Sequence, residues 1–214
     1  MLRPALLPSP LLAEQCMVMP AIRRRWTPAD VRMLMQESRP WPRYELIAGE
    51  LLVTPAPGSA HQIAVIELLA VLSAYLERQP VGLALISPAN LELRPGTIAQ
   101  PDLFVVPATT TTRGEQLRWS DIRALLLAVE VLSPGTARTD RVEKRDFYLD
   151  AAVAEYWIVD LDACVIERWT RERMTPELHR DTLVWQPGAS RPLTLNVAAL
   201  FARIARKLAM FRRG

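Results

Sequence analysis

Lysine, histidine and cysteine are scarce in this sequence of 214 residues. Two cysteines, Cys16 and Cys164, are too few for a disulfide framework or a four-cysteine zinc site. Two histidines, His61 and His179, exclude an HExxH motif and a histidine-rich metal site. The motifs GxGxxG, GxxxxGK[ST] and GxSxG are also missing. The sequence therefore lacks the usual signatures of nucleotide-binding proteins and of serine hydrolases.

Long apolar runs are missing as well, since none reaches the roughly 18–20 residues that a transmembrane helix needs. Residues 1–20 are apolar, but prolines interrupt them, and they lack the basic start and the small-residue cleavage site of a secretory signal. We therefore predict a cytoplasmic protein without a membrane partner. Residues 1–25 are expected to form a loose, disordered leader.

The basic residues are almost all arginine, because only Lys144 and Lys207 are lysine among 26 Lys and Arg. The net charge of +3 is uneven: residues 1–25 carry +3 and residues 203–214 carry +5, which leaves −5 for residues 26–202. A protein that binds nucleic acid through bulk charge would not have an acidic body. The acidic body suits carboxylates that hold cations, although ordinary surface acids are the simpler explanation. The basic ends could contact phosphates or could be solvent-exposed.

Hydrophobic periodicity and turn residues predict alternating helices and strands. Helices are expected over residues 27–36, 59–78, 140–152 and 197–211. Strands are expected in the hairpin 44–54 and over 83–86, 90–93, 102–106, 125–132, 155–160, 164–170 and 182–186. This order predicts an α/β or α+β sheet with a helix on each face. We place one domain over residues 26–200 and a basic C-terminal helix or tail over 201–214.

Two acidic residues belong to the predicted strands. Glu130 interrupts the apolar run LLLAVEVL, which is typical of a strand buried on both faces. A buried carboxylate needs either an arginine partner or a metal ion. Asp102 follows Pro101 and opens the strand LFVV. It is either a turn aspartate that accepts backbone N–H bonds or a second metal ligand.

A lysine on the inward face of a helix completes the group. The helix that contains Lys144 is predicted to begin with Asp140 as N-cap and Glu143 closing a capping box. Viewed down the helix axis, Lys144 then falls between Tyr148 and Ala151 on the inward face, where its side chain either extends toward solvent or meets a buried acid.

Together Asp102, Glu130 and Lys144 indicate phosphodiester hydrolysis. Two carboxylates can hold Mg²⁺, and a lysine beside them can orient or deprotonate water or stabilise charge at phosphorus.

Several sequence blocks carry a family resemblance. They are YELIAGEL (44–51), SAHQ (59–62), QPDLFVV (100–106), VEVLSPGTARTDRVEK (129–144) and VAEYWIVD (153–160). Over residues 26–200 the chain resembles the Uma-two family, described as "putative" bacterial endonucleases of the PD-(D/E)XK restriction-endonuclease-like superfamily. The resemblance implies a mixed central sheet flanked by helices and a nuclease that uses Mg²⁺, with Mn²⁺ as a possible substitute.

The resemblance also assigns roles to individual residues. Asp102 matches the aspartate of the PD motif and Glu130 matches the acidic residue of (D/E)XK, so both are implied metal ligands and catalytic residues. The lysine position of that motif holds Leu132, and the family's DRxEK block supplies Lys144 from the helix instead. The backbone carbonyl of Val131 is a further implied metal ligand.

Three weaker candidates for substrate binding remain. His61, at the predicted start of a helix, could move protons or bind phosphate, or it could be a cap or surface residue. Glu50 and Gln100 could line the cleft.

We therefore predict an Mg²⁺-dependent endonuclease that hydrolyses DNA. RNA remains a possible substrate, and a homodimer is possible because superfamily nucleases often dimerise. The alternative is a catalytically weak or inactive nuclease-fold module that binds nucleic acid or a protein partner.

Overall fold

The computed structural model describes residues 25–36, 41–110, 117–133 and 135–211, so the predicted leader lies outside it except for Arg25. The helices and strands are, in chain order, α1 (Pro28–Gln36), β1 (Arg43–Ile47), β2 (Glu50–Thr54), α2 (Ser59–Arg78), β3 (Gly82–Ile86), β4 (Leu103–Pro107), β5 (Leu127–Val131), α3 (Ala137–Thr139), a π-helical segment (Asp140–Lys144), α4 (Arg145–Asp150), β6 (Tyr156–Asp160), β7 (Val165–Trp169), β8 (Glu177–His179), β9 (Thr182–Trp185), β10 (Leu193–Asn196) and α5 (Val197–Phe211).

The central sheet has six strands in the order β3-β4-β5-β6-β7-β8. All neighbouring pairs are antiparallel except β5 and β6, which are parallel. The helical stretch α3–α4 connects these two strands, because a parallel pair needs a crossover. The mixed sheet flanked by helices confirms the predicted fold class.

Each face of the sheet has its own core. Alternate residues of β5, such as Leu127 and Val129, pack against α2 and α5 on one face. The intervening residue Ala128 packs with Phe147 and Tyr148 of α4 on the other face. All five residues of β5 are buried, as the apolar run predicted, because both faces are covered. Glu130 follows this alternation and lies on the α4 side.

The hairpin β1–β2 turns at Ala48 and Gly49, as predicted. Both residues have positive φ angles, 52° and 80°, which is the backbone of a two-residue type I′ turn. Leu46 exchanges two backbone hydrogen bonds with Ile98, at 2.8 and 2.9 Å. These bonds join the hairpin to the segment before β4, so β1 side chains reach Asp102.

Residues 90–93 do not form the predicted strand. Leu91 makes only an isolated bridge with Ala99. The alternation of buried Ala89, Leu91 and Leu93 is real, but it comes from packing on the α4 side of the sheet and not from a strand ladder. The sequence also gave no indication of β8 and β10, which are short strands at the edges of their sheets.

The helix predicted over 140–152 begins earlier, at Ala137, and ends at Asp150. The prediction that Asp140 and Glu143 form a capping box is therefore wrong. The Asp140 backbone N–H donates to the Thr136 carbonyl at 2.9 Å, so Asp140 lies inside the helical stretch and its side chain is free to face inward. The inward position of Lys144 is confirmed, since it is buried.

By length and composition alone, α2 could cross a membrane. The absence of a long uninterrupted apolar run in the sequence did not predict this. In the fold, its face with Leu68 and Leu72 packs in the core, as expected for a core helix. Its Glu67 forms ion pairs with Arg203 and Lys207 of α5, at 2.7 and 2.6 Å. The division at residue 200 between a domain and a basic tail stays a prediction, and α5 runs across it.

Candidate active site

A cleft of about 230 Å³ lies between the start of α2, the β4–β5 ends and the π-helical segment. We call it the acidic cleft, and its walls include Arg43, His61, Asp102, Glu130 and Lys144. The β4–β5 register explains why two of these residues meet. Leu103 lies opposite Val129, so one further step places Asp102 opposite Glu130. The structure thus brings together the three residues on which the sequence prediction depends.

The Asp102 carboxylate is held by three donors. Its Oδ1 accepts a hydrogen bond from Arg43 at 2.8 Å. Its Oδ2 accepts from His61 Nε2 at 2.8 Å and from the Val131 backbone N–H at 2.9 Å. Burial alone would raise the pKa of Asp102, but the His61 hydrogen bond and the charges of Arg43 and Lys144 hold that pKa well below its usual value. Asp102 is therefore an anion at neutral pH.

Glu130 is paired with a lysine and not with an arginine, which was the non-functional alternative for a buried carboxylate at this position. Lys144 Nζ lies 3.0 Å from Glu130 Oε1, which also accepts the Tyr148 hydroxyl at 3.1 Å. Burial raises the pKa of Glu130 well above its usual value, and Asp102 and the other nearby acids add to this rise despite the opposing effect of Lys144. Burial would lower the pKa of Lys144, yet Glu130 and the other acids raise it above its usual value.

Two further acids contact Lys144, and the sequence prediction missed the role of both. Glu45 Oε2 lies 2.8 Å from Lys144 Nζ, and Asp140 Oδ1 lies 3.6 Å away. Glu45 follows Tyr44 in a predicted strand and precedes two apolar residues, which is the signal that singled out Glu130.

The π-helical segment sets the position of Lys144. Asp140 and Lys144, at its two ends, both face the acidic cleft and are both buried. Single π-helical turns inside α-helices are rare and often occur at functional sites. The segment also lies next to the core, because the Tyr156 hydroxyl donates to the Asp140 carbonyl at 3.0 Å.

The weaker candidates are placed differently by the fold. His61, in the first turn of α2, lines the acidic cleft and binds Asp102. Gln100 lies behind the cleft, where its backbone N–H donates to Glu45 at 2.8 Å and its carbonyl accepts from Arg43 at 3.3 Å. Glu50 is exposed at the start of β2 and does not line the acidic cleft.

Val131 lines the acidic cleft. Its N–H group fixes Asp102. The use of its carbonyl as a metal ligand stays a prediction. Within the described part of the chain, no three His, Cys, Asp or Glu side chains are grouped to hold a metal ion.

Replacing His61 by alanine is expected to reduce any hydrolytic activity about 10–100-fold, which is the usual effect of removing a group that orients a ligand. Asp102 would keep Arg43 and the Val131 N–H but would lose the donor to Oδ2. Replacement by glutamine, which retains an N–H donor, should recover part of the activity. Equal activity of the alanine variant and the wild type would contradict a role for His61.

Comparisons with known proteins agree with this fold. A family model described as Uma2, "Putative restriction endonuclease", matches residues 31–198. A solved structure described as a "putative nuclease" belonging to DUF820 from Anabaena variabilis is similar, with a TM-score of 0.61 and 21% identity. The similarity covers 81% of this chain and 98% of that one. No curated protein matches.

The mixed sheet, the flanking helices and the solved neighbour define a restriction-endonuclease-like fold. The family match covers most of the chain. The protein therefore belongs to the Uma2 family, which is described as "Putative restriction endonuclease".

Proposed function

We propose that the protein is an Mg²⁺-dependent endonuclease that hydrolyses DNA in the acidic cleft. The observation that carries the proposal is the placement of Asp102 and Glu130 in one cleft, with Lys144 Nζ 3.0 Å from Glu130. A lysine facing solvent would have favoured a binding module without catalysis. The inward lysine supports the enzyme instead.

The charges in the cleft favour a divalent cation. Four carboxyl groups, of Asp102, Glu130, Asp140 and the adjoining Glu45, meet only two permanent cations among the described residues, Arg43 and Lys144, and this crowding of acids helps to raise the pKa of Glu130. A buried excess of negative charge is costly unless a cation offsets it.

The available ligands also suit Mg²⁺. Mg²⁺ prefers oxygen ligands, needs only one or two carboxylates and keeps several waters. Asp102, Glu130 and the Val131 carbonyl would hold it. When bound, Mg²⁺ would polarise a phosphoryl oxygen and make water more acidic.

The residues of the chain divide the remaining work. Arg43 and His61 hold the Asp102 carboxylate in one orientation from two sides. Lys144 is a compact cation that donates to Glu130 and, in the presence of substrate, would orient the attacking water or stabilise charge on the phosphate. Glu45 and Asp140 keep the ammonium of Lys144 at the cleft wall.

The proposal is tested by titrating divalent metal while cleavage is measured. Supercoiled plasmid, linear duplex, single-stranded DNA and RNA of matched sequence are incubated with the protein in EDTA, Mg²⁺, Mn²⁺ or Ca²⁺. We expect cleavage of DNA in Mg²⁺ and Mn²⁺ and none in EDTA. The proposal fails if metal binds, as calorimetry would show, and no nucleic acid is cut. Cleavage of RNA alone would change the substrate but keep the chemistry.

A further inference from the structure

A second cavity of about 230 Å³ adjoins the acidic cleft. We call it the side cavity. It shares four wall residues with the cleft: Arg43, Pro57, His61 and Asp102. A ligand that occupies the acidic cleft therefore borders the side cavity directly.

The walls of the side cavity differ in chemistry from those of the cleft. Beyond the shared residues they are mainly apolar or aromatic: Trp41, Val65, Ile66 and Ile86. Ile66 is 55% exposed and Ile86 is 41% exposed, which leaves apolar surface open to a ligand. Among the described residues, Gln62 and Ser87 add polar groups. Apolar walls with a few polar groups suit a flat heteroaromatic ring with a polar edge.

Trp41 is linked to the catalytic carboxylate through one residue. The Arg43 guanidinium lies 5.1 Å from the centre of the Trp41 ring and donates to Asp102 at 2.8 Å. Proteins bind single-stranded nucleic acid through aromatic side chains on which bases stack, and Trp41 supplies such a ring at the wall of the side cavity.

The boundary between the two cavities also holds an unsatisfied polar atom. Nδ1 of His61 is buried and has no hydrogen-bond partner among the described residues. Buried polar atoms are nearly always paired, so this nitrogen, in a residue that lines both cavities, has hydrogen-bonding capacity that the described residues leave unused.

The size of the side cavity restricts the occupant. Its volume is below the roughly 300–1,000 Å³ of pockets for drug-sized ligands. A single ring system fits this volume. A base inside a duplex cannot enter it without leaving the stack, and unstacking costs least when the base is mismatched or single-stranded.

We propose that the side cavity binds one unpaired nucleobase next to the phosphodiester in the acidic cleft, so that the preferred substrate is single-stranded or locally unpaired DNA. This inference rests on the proposed function, because it assumes that the cleft receives a phosphodiester.

The test uses the wild-type protein first. Fluorescein-labelled oligonucleotides are compared by anisotropy in Ca²⁺, an oxygen-binding divalent cation, under conditions where a gel shows that no strand is cut: a single strand, the same strand with one abasic nucleotide at each position in turn, a blunt duplex and a duplex with one bulged nucleotide. We expect the single strand and the bulged duplex to bind about tenfold or more tightly than the blunt duplex, as stacking of one base predicts. An abasic nucleotide at one position should remove most of this gain.

Variants then locate the effect. Trp41→Ala should weaken binding of the single strand about tenfold or more and leave blunt-duplex binding unchanged, whereas Trp41→Phe should retain most of the affinity. Leu178→Ala is the control, because Leu178 is 60% exposed on β8, outside the side cavity. If Trp41→Ala does not fold, Ile66→Gln at the exposed wall replaces it.

Three outcomes would overturn the inference: equal affinity for single strand and blunt duplex, no effect of any abasic position, or a change in oligomeric state of Trp41→Ala or Ile66→Gln without a change in DNA binding. The last would assign the apolar surface to a second copy of the chain. Base-dependent binding without cleavage in any metal would remove the proposed function and keep the side cavity as a nucleobase site. Cleavage that depends neither on Trp41 nor on a base would keep the proposed function and remove the side cavity as a nucleobase site.

Discussion

Replacing Asp102 by asparagine is expected to reduce DNA cleavage by at least about 10³-fold. Loss of a metal-binding carboxylate removes several kcal/mol of transition-state stabilisation, and each 1.4 kcal/mol is about tenfold in rate. Asparagine preserves the shape of the side chain and one oxygen acceptor, so Arg43 and His61 keep a neighbour of the same size. Cleavage of plasmid DNA in Mg²⁺ is the measurement, with a thermal melt to establish that the variant is folded.

Two further variants make this test specific. Glu130→Gln should give a loss of similar size, because it removes the second carboxylate from the same cleft. Asp146→Asn is the control, since the Asp146 side chain is 62% exposed and lies away from the cleft. A nuclease carried through purification would survive all three substitutions. Full activity of Asp102→Asn in a homogeneous sample would show that Asp102 is not a ligand.

Replacing Lys144 by methionine is expected to lower the free energy of unfolding by about 3–5 kcal/mol, the usual cost of removing one partner from a buried ion pair. The side chains of Glu45, Glu130 and Asp140 are 1–3% exposed and would lose their shared cation. A domain has only about 5–15 kcal/mol of stability in total, so the effect is large. Urea denaturation at neutral pH without divalent metal measures it.

The other lysine provides a matched control. Lys207 also pairs with a glutamate, Glu67, at 2.6 Å, but its side chain is 50% exposed. Lys207→Met should therefore cost at most about 1 kcal/mol. If both lysine variants lower the free energy of unfolding by the same small amount, the buried carboxylates around Lys144 do not depend on its charge.

A double variant tests which acid depends on Lys144. Glu45→Gln removes the carboxylate charge that lies 2.8 Å from Lys144 Nζ. The double variant Lys144→Met, Glu45→Gln should therefore be more stable than the sum of the two single effects predicts. Additive effects would place Glu45 outside the interaction.

Local sequence features determined most of the regular structure. The dipeptide Ala48-Gly49 fixed the hairpin turn because it accommodates two positive φ angles. The apolar period of residues 59–78 predicted α2 with its observed ends, and the run at 125–132 predicted the buried strand β5. Each of these depends on neighbours in the chain, so the sequence contains the information directly. The loop at 90–93 misled the prediction, because its alternating burial arises from packing of distant elements.

Only part of the candidate site could be predicted from local sequence features. Asp102, Glu130 and Lys144 were recognisable because a charged residue in an apolar strand or on an inward helix face is unusual by itself. Arg43 and Glu45 were not recognised, although they contact Asp102 and Lys144. Glu45 is buried in β1 whereas Glu50, predicted to line the cleft, is exposed at the start of β2, a difference that the tertiary structure decides.

By itself the sequence determined the fold class, the family and the three central charged residues. The tertiary structure decided which groups surround them. Arg43 reaches Asp102 across 59 residues of chain, and Gln100 binds Glu45 across 55. Such contacts depend on strand register and on the bridge between Leu46 and Ile98, and no local periodicity encodes them. The same long-range packing created the side cavity beside the acidic cleft, which no motif in the sequence indicated.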